Sequence, residues 1–202
     1  MMPEGSEQKS RVRRLTVAIS GASGAIYGVR LLEALQGTDI ETHLLLSKPG
    51  ERTVVEETGY RLDRVKAMAT VVHNIHDIGA SIASGSYKTM GMVIAPCSIH
   101  TLSAITYGIT DNLMTRAADV VLKEHRKLVL LVRETPLHVG HLRTMLAAAE
   151  MGAIILPPVP AFYSLPKTLT DMINHTVGRV LDHYDIDHRL VNRWGEEKPE
   201  EP

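Results

Sequence analysis

The sequence predicts a doubly wound α/β sandwich, a parallel sheet with helices on both faces. Three observations carry this. Short, nearly continuous apolar runs recur, among them Leu15–Ile19, Met92–Ala95 and Leu128–Val132. Amphipathic stretches separate them. Each run stops at small or charged residues: Ser20-Gly21-Ala22-Ser23-Gly24, Pro96-Cys97-Ser98 and Arg133-Glu134-Thr135-Pro136. Strands without polar alternation are covered on both faces, as in parallel sheets. Right-handed crossovers then distribute the helices over the two sides. Such sheets bind ligands beyond the carboxyl ends of their strands, so these clusters mark the expected site.

Taken in order, Leu15–Ile19 reads as the first strand. Ala25–Leu35 reads as a helix, because Ile26, Val29, Leu32 and Leu35 recur near helical spacing. Glu41–Leu46 is a second strand with a short helix, Pro49–Glu57, behind it. Val71-Val72 is a weak third strand. Ile75–Thr89, with Gly79, Gly85 and several serines, reads as a loop with room for one helical turn. Met92–Ala95 is a buried strand, followed by a helix over Ser98–Tyr107 that Gly108 ends. Asp111–His125 is a helix with Leu113, Ala117, Val120, Val121 and Leu122 on its apolar side. Leu128–Val132 is a strand, Leu137–Met151 a helix and Ala153–Leu156 a strand. Pro157–Pro166 is a proline-rich loop, and Leu169–Tyr184 the last helix.

Composition narrows the class. The 202 residues suffice for one domain with a full core. The expected domain is the whole chain, with residues 1–13 as a flexible arm and 196–202 as a disordered tail rich in Glu and Pro. A net charge of -1 gives no global attraction to nucleic acid or a membrane surface. Aromatic content of 4% argues against a base-stacking platform. No apolar segment has the length of a membrane span or signal peptide. One cysteine, Cys97, cannot form an internal disulfide, which fits a reducing, cytoplasmic setting.

The strand-end clusters supply candidate chemistry. Gly21-Ala22-Ser23-Gly24 lets a ligand approach the backbone, and the helix behind it directs N–H groups and a partial positive charge outward. A phosphate is the natural guest, although neither G-x-G-x-x-G nor the P-loop lysine is present. A plain tight turn would also use these residues. Ser47, Ser98 and Thr101 follow strands; each alone reads as a helix cap, but together they tilt toward a ligand crevice. Arg133 can fork onto phosphate oxygens. Glu134 can act as acid or base, with its pKa raised if the crevice is apolar. A surface ion pair or a helix-start carboxylate explains the pair equally simply, given Pro136. Arg116 and Lys123 lie two helical turns apart and can face one anion; solvated-face charge is the plain alternative. Glu57 reads as surface charge. Tyr163, in Pro160-Ala161-Phe162-Tyr163, and Arg179 can each reach a small anion, or else serve packing and solvation. His73/His76 and His138/His141 are spaced three apart without a thiolate partner set, so no metal site is expected. Cys97 lacks a local base and reads as a small buried residue.

Several long segments, in order, resemble the flavin prenyltransferases, the small partner enzymes of ubiquinone-pathway type decarboxylases. They are Gly21-Ala22-Ser23-Gly24-Ala25-Ile26-Tyr27-Gly28, Pro96-Cys97-Ser98, Asp111-Asn112, Arg116-Ala117-Ala118-Asp119-Val120, Leu122-Lys123-Glu124, Arg133-Glu134-Thr135-Pro136-Leu137, His141-Leu142, Pro160-Ala161-Phe162-Tyr163 and Arg193-Trp194-Gly195. The resemblance runs from Leu15 to about Gly195. It implies a flavodoxin/Rossmann-like fold and the joining of a dimethylallyl group from dimethylallyl phosphate to reduced FMN at N5 and C6. The product, prenylated FMN, would serve a receiving decarboxylase. Family members need no metal and assemble as large homo-oligomers, which implies a dodecamer with sites between subunits.

By matching segment, the resemblance assigns Gly21, Ala22, Ser23, Ser47, Ser98, Ile99, His100, Thr101 and Arg133 to FMN. Tyr163, Arg179, Lys123, Arg116 and Tyr87 go to the prenyl phosphate, with Arg116 reaching across a subunit boundary. Ser23, Glu57 and Glu134 resemble the groups that handle protons, and Lys123 joins them as a catalytic cation. Ionising an allylic phosphate leaves a carbocation and a dianion, so basic groups beside the leaving phosphate act where charge develops. His125 stands where an Arg is common. Two other readings remain: an FMN-dependent cysteine decarboxylase, which requires a His where Asp77 precedes Ile78, and a non-enzymatic FMN carrier.

Overall fold

The computed structural model describes residues 12–191. Six strands form one parallel sheet: β1 (Arg13–Ile19), β2 (Ile40–Leu46), β3 (Val71–Val72), β4 (Gly91–Cys97), β5 (Lys127–Val132) and β6 (Ala153–Ile155). Their order is β3-β2-β1-β4-β5-β6. The chain therefore winds outward from β1 to β3, then returns to start β4 on the other side of β1. That reversal opens a crevice between the connections that leave β1 and β4.

Among the described residues, seven helices cover the sheet: α1 (Ala25–Leu35), α2 (Lys48–Thr58), α3 (Leu62–Lys66), α4 (Ile99–Thr106), α5 (Leu113–Lys123), α6 (Val139–Glu150) and α7 (Leu169–Asp182). Strand periodicity sorts the core into two layers. Leu15, Val17, Ile19, Val93, Ala95, Val129 and Leu131 face the layer built with α1, α2, α3 and α7. Ala18, Met92, Ile94, Cys97, Leu128, Leu130 and Val132 face the layer built with α4, α5 and α6. Gly28 lets α1 press onto the sheet: a Cβ there would overlap the Ala95 carbonyl and lie 2.6 Å from Ile19 Cγ1. Tyr184, just past α7, is buried and donates from its hydroxyl to Met92 O at 2.8 Å and Lys127 O at 3.1 Å. The end of α7 is thereby fixed at the amino edge of the sheet, where β4 and β5 begin.

The differences from expectation are local. β1 starts at Arg13, two residues before its apolar run, because Arg13 and Arg14 pair with Asp39 and Glu41 beside β2. Helix α3 was not expected; five residues with Leu62 and Val65 facing in are too few to display a period. Between β3 and β4 the expected single helical turn is a 3₁₀ turn at Ser81–Ala83, which buries Ile82. A second one, Phe162–Ser164, interrupts the proline-rich loop. No helix among the described residues is long and apolar enough to cross a membrane. The arm, apart from its last two residues, the tail from 196 and the Arg193-Trp194-Gly195 segment lie outside the described residues.

Candidate functional site

Four strand ends are laced together at the carboxyl edge. Ser20 N–H donates to Pro96 O at 3.2 Å and its hydroxyl to the same oxygen at 2.8 Å, while accepting from Ser98 N–H at 2.8 Å. Ser47 N–H donates to Ile19 O at 3.1 Å, and Arg133 N–H to Cys97 O at 3.1 Å. The residues after β1, β2, β4 and β5 are thus held side by side. Ser20 is the tie between β1 and β4. Its buried hydroxyl was not singled out in the sequence, because nothing local distinguishes it from the serines of a loop.

The glycine turn has the expected backbone. Gly24 stands at φ 100, the left-handed region, as the residue before α1. A Cβ on Gly21 would overlap Pro49, so this turn and the start of α2 share one tight seam. Ser23 is exposed at its rim. The expectation for the start of α1 needs correction, however. Its leading N–H groups are not simply open to a phosphate: the Glu57 carboxylate accepts from Gly24 N–H at 2.7 Å and from Ala25 N–H at 3.3 Å. Glu57 therefore caps the start of α1 rather than standing as incidental surface charge. A carboxylate at a helix start is favoured by the same partial charge that favours a phosphate.

Ser47 caps α2 by accepting from Gly50 N–H at 3.0 Å. Ser98 caps α4, accepting from Thr101 N–H at 3.2 Å and donating to the Thr101 hydroxyl at 3.0 Å. The capping reading thus holds for both serines, and each cap faces the crevice. Ile99 and His100, in the first turn of α4, have no intrahelical acceptor for their N–H groups. Arg133 and Glu134 are both exposed. A carboxyl held in an apolar crevice is not what this chain presents at Glu134, whose Oε1 accepts from Thr135 N–H at 3.0 Å. Cys97 is fully buried, and burial pushes its thiol well above the ordinary range, so it is inert packing.

The five residues assigned to the prenyl phosphate do not converge on this crevice within one chain. Lys123 ends α5, four residues before β5 begins, which places it at the amino edge, about 17 Å away along the strand direction. There its ammonium lies 3.5 Å from Glu124. Tyr87 is also away from the crevice. Its hydroxyl meets Glu41, near the start of β2, at 3.1 Å and His43, midway along it, at 3.2 Å, and the Arg14 guanidinium stacks over its ring at 4.7 Å. The expectation that Tyr87 joins the prenyl-phosphate site is not met at the crevice of its own chain. Arg116 pairs with Asp119 at 2.9 Å. Arg179 pairs with Asp182 at 2.9 Å on the outer side of α7.

Two of the five flank one histidine. The Tyr163 hydroxyl lies 3.0 Å from His175 Nε2, and Arg179 follows His175 by one helical turn on the same face of α7. His175 carried no sequence signal: a single histidine in an amphipathic helix reads as ordinary.

A second polar knot sits behind β2. His43 is buried, 2.8 Å from His73 Nε2 and 2.9 Å from Glu41. Burial pushes the pKa of both histidines below the ordinary value. Burial would raise Glu41, but hydrogen bonds from Arg14, His43 and Tyr87 together hold it below the ordinary carboxylate value.

Several large apolar side chains are exposed in two places. Val139, Leu142 and Leu146 share the exposed face of α6, and Val159, Phe162, Leu165 and Leu169 are exposed around the 3₁₀ turn before α7.

With this geometry in place, known proteins can be compared. The pattern of the family described as Flavoprotein matches residues 3–181. A flavin prenyltransferase UbiX of Salmonella typhimurium is 62% identical over 186 residues, covering 91% of this chain and 98% of its own length. The flavin prenyltransferase UbiX of Thauera aromatica is 59% identical over 181 residues, covering 90% and 93%. Among solved structures, AnUbiX (PadA1) in complex with FMN and dimethylallyl pyrophosphate superposes with a TM-score of 0.90 at 48% identity, over 93% of this chain and all of that one. The FMN-dependent cysteine decarboxylase SpaF, at 15% identity and a TM-score of 0.57, shares the fold alone. On these matches the chain belongs to the flavoprotein family and, within it, to the flavin prenyltransferases.

Proposed function

We propose that the strand-end crevice holds FMN and that the Tyr163–Arg179 face receives the phosphate of a dimethylallyl donor. The enzyme is a flavin prenyltransferase, and reduced FMN is its acceptor substrate. The residues present fit a phosphorylated flavin. Gly21–Ser23 allow close backbone approach, Arg133 supplies a fixed positive charge, and the first turn of α4 adds N–H donors beside Ser98 and Thr101. With Glu57 on the α1 terminus, Arg133 and α4 carry the anion-binding role that the glycine turn cannot carry alone.

The bound reduced flavin supplies the nucleophilic atoms, N5 and C6, for the prenyl group. This chain's residues bind and orient the reactants and move protons. Ser23 and Glu57 lie together at the glycine turn, where a hydroxyl and a carboxylate can pass a proton. Glu134, at the end of β5 next to Arg133, can accept the proton released from the ring carbon. Lys123, Arg179 and Arg116 neutralise the departing phosphate, which is where negative charge grows.

One observation gives the assembly its part in this reading: Lys123 lies at the opposite edge of the sheet from the crevice of its own chain. A complete site then needs a neighbouring copy. The apolar face of α6 and the Phe162 loop fit a self-association surface. The related structure from Escherichia coli O157:H7, at 48% identity and a TM-score of 0.88, is described as a dodecameric FMN-dependent UbiX-like decarboxylase. A dodecamer of this chain, a cytoplasmic setting and a receiving decarboxylase belong to the same proposal.

The decisive experiment is mass spectrometry of flavin extracted after anaerobic incubation of the protein with reduced FMN and dimethylallyl monophosphate. A flavin heavier by one prenyl unit is expected. Unchanged FMN with both the monophosphate and the diphosphate donor would end the transferase reading.

A further inference from the structure

Tyr163 stands on a short 3₁₀ turn in a loop between β6 and α7, and its ring is exposed. A phenol on such a loop has no fixed direction unless another group holds it. His175 is on firmer ground, two turns into α7. A reciprocal cap secures that helix: the Thr168 hydroxyl accepts from Asp171 N–H at 3.1 Å, while Asp171 accepts from Thr168 N–H at 2.8 Å. The His175 ring meets the Tyr163 ring edge-on, with centroids 5.6 Å apart and planes at 84°, and Nε2 lies 3.0 Å from the hydroxyl.

We propose that His175 is a positioning residue for the prenyl-phosphate subsite, holding the Tyr163 hydroxyl beside Arg179 so that phenol and guanidinium act on one phosphate. This rests on the reading of Tyr163 and Arg179 as that subsite. The hydrogen-bond chemistry follows from the tautomer. An imidazole with its proton on Nε2 donates to the phenol oxygen and leaves the phenol hydrogen to donate to a phosphate oxygen. A neutral ring is favoured here: burial, then the Arg179 charge, push the His175 pKa below its ordinary value against the opposing pull of Asp182. His175 itself need not touch the substrate.

The test is anaerobic steady-state prenylation of reduced FMN with dimethylallyl monophosphate varied, alongside FMN affinity and thermal midpoint. His175→Leu is expected to raise KM for the donor about tenfold, the effect of losing one hydrogen bond to a charged group's site, with FMN affinity changed less than about twofold. His175→Gln, which can still donate to the phenol oxygen, should restore most of the loss. In a Tyr163→Phe background, His175→Leu should add less than about twofold, because the two residues act as one unit. His175→Phe repeats the comparison with a bulkier ring should the leucine variant fail to fold. Unchanged donor KM in the histidine variants, with Tyr163→Phe still impaired, would overturn the positioning role alone. Additive losses in the double variant would overturn it too. Wild-type donor KM in both Tyr163→Phe and Arg179→Ala would instead remove the subsite on which it rests.

Discussion

The Glu57 carboxylate accepts a 2.7 Å hydrogen bond from Gly24 N–H, so a side chain from the end of α2 closes the start of α1. This contact joins two residues that the sequence separates by 33 positions. It also places an acid beside Ser23, at the mouth of the crevice. The turn after β1 is therefore closed by a side chain from α2, and on the proposed function that carboxylate and Ser23 would form a proton-handling pair.

Glu57→Gln separates these roles. The amide oxygen can still accept from Gly24 N–H, so the thermal midpoint should stay close to wild type, whereas Glu57→Ala should cost about 1 kcal/mol as a lost cap. Turnover should fall about a hundredfold in both, the usual scale for a lost acid–base group. Equal stability loss in the two variants, with turnover intact, would make Glu57 a cap and nothing more.

Glu134→Gln should slow turnover about a hundredfold while bound FMN, followed by its absorbance after gel filtration, is retained. Glu134 is exposed and contacts only the adjacent backbone N–H among the hydrogen bonds described, so its removal leaves the crevice wall in place. Loss of flavin in this variant would assign it to binding instead.

Acid should destabilise the protein through the knot behind β2. His43 and His73 have folded pKa values below the ordinary value near 6.5 because burial disfavours the charged ring. Above about pH 6.5 both states hold neutral rings and the contribution to stability is complete. Below it the unfolded chain takes up protons that the folded chain refuses, and stability falls by up to about 1.4 kcal/mol per pH unit per ring. Urea midpoints at pH 7.5, 6.5 and 5.5 measure this. His43→Asn should flatten the slope, and an unchanged slope would assign the acid sensitivity to other groups.

Charge on the exposed face of α6 should break the assembly. Leu142→Glu with Leu146→Glu leaves the core untouched, since both side chains already face outward. Light scattering should report a smaller species. Prenylation should drop with it, while FMN binding falls less, because the crevice lies within one chain and the Lys123 side lies elsewhere. A variant that stays at wild-type mass would move the interface to another surface.

Much of the architecture was legible because its causes are local. Apolar runs such as Met92–Ala95 have no polar alternation, and a strand covered on both faces is the economical way to bury them. α1 and α5 announce themselves by period, and the caps Ser47 and Ser98 by their chemistry after a strand. The grouping of Gly21–Ser23, Ser47, Ser98 and Arg133 was readable from the rule that parallel strands present their carboxyl ends to one edge. α3 was too short to show a period. The Glu57–Gly24 bond, the Ser20 tie and the Tyr163–His175 contact were not readable, because each joins residues distant in sequence.

The sequence alone determined the order of strands and helices, the edge of the sheet that carries the crevice and the kinship to flavin prenyltransferases, since these depend on periodicity, chain direction and contiguous segments. Tertiary structure alone decided that Glu57 seals α1 and that Tyr163 meets His175. Those outcomes depend on where separate helices end in space, which side-chain pattern along one chain does not encode.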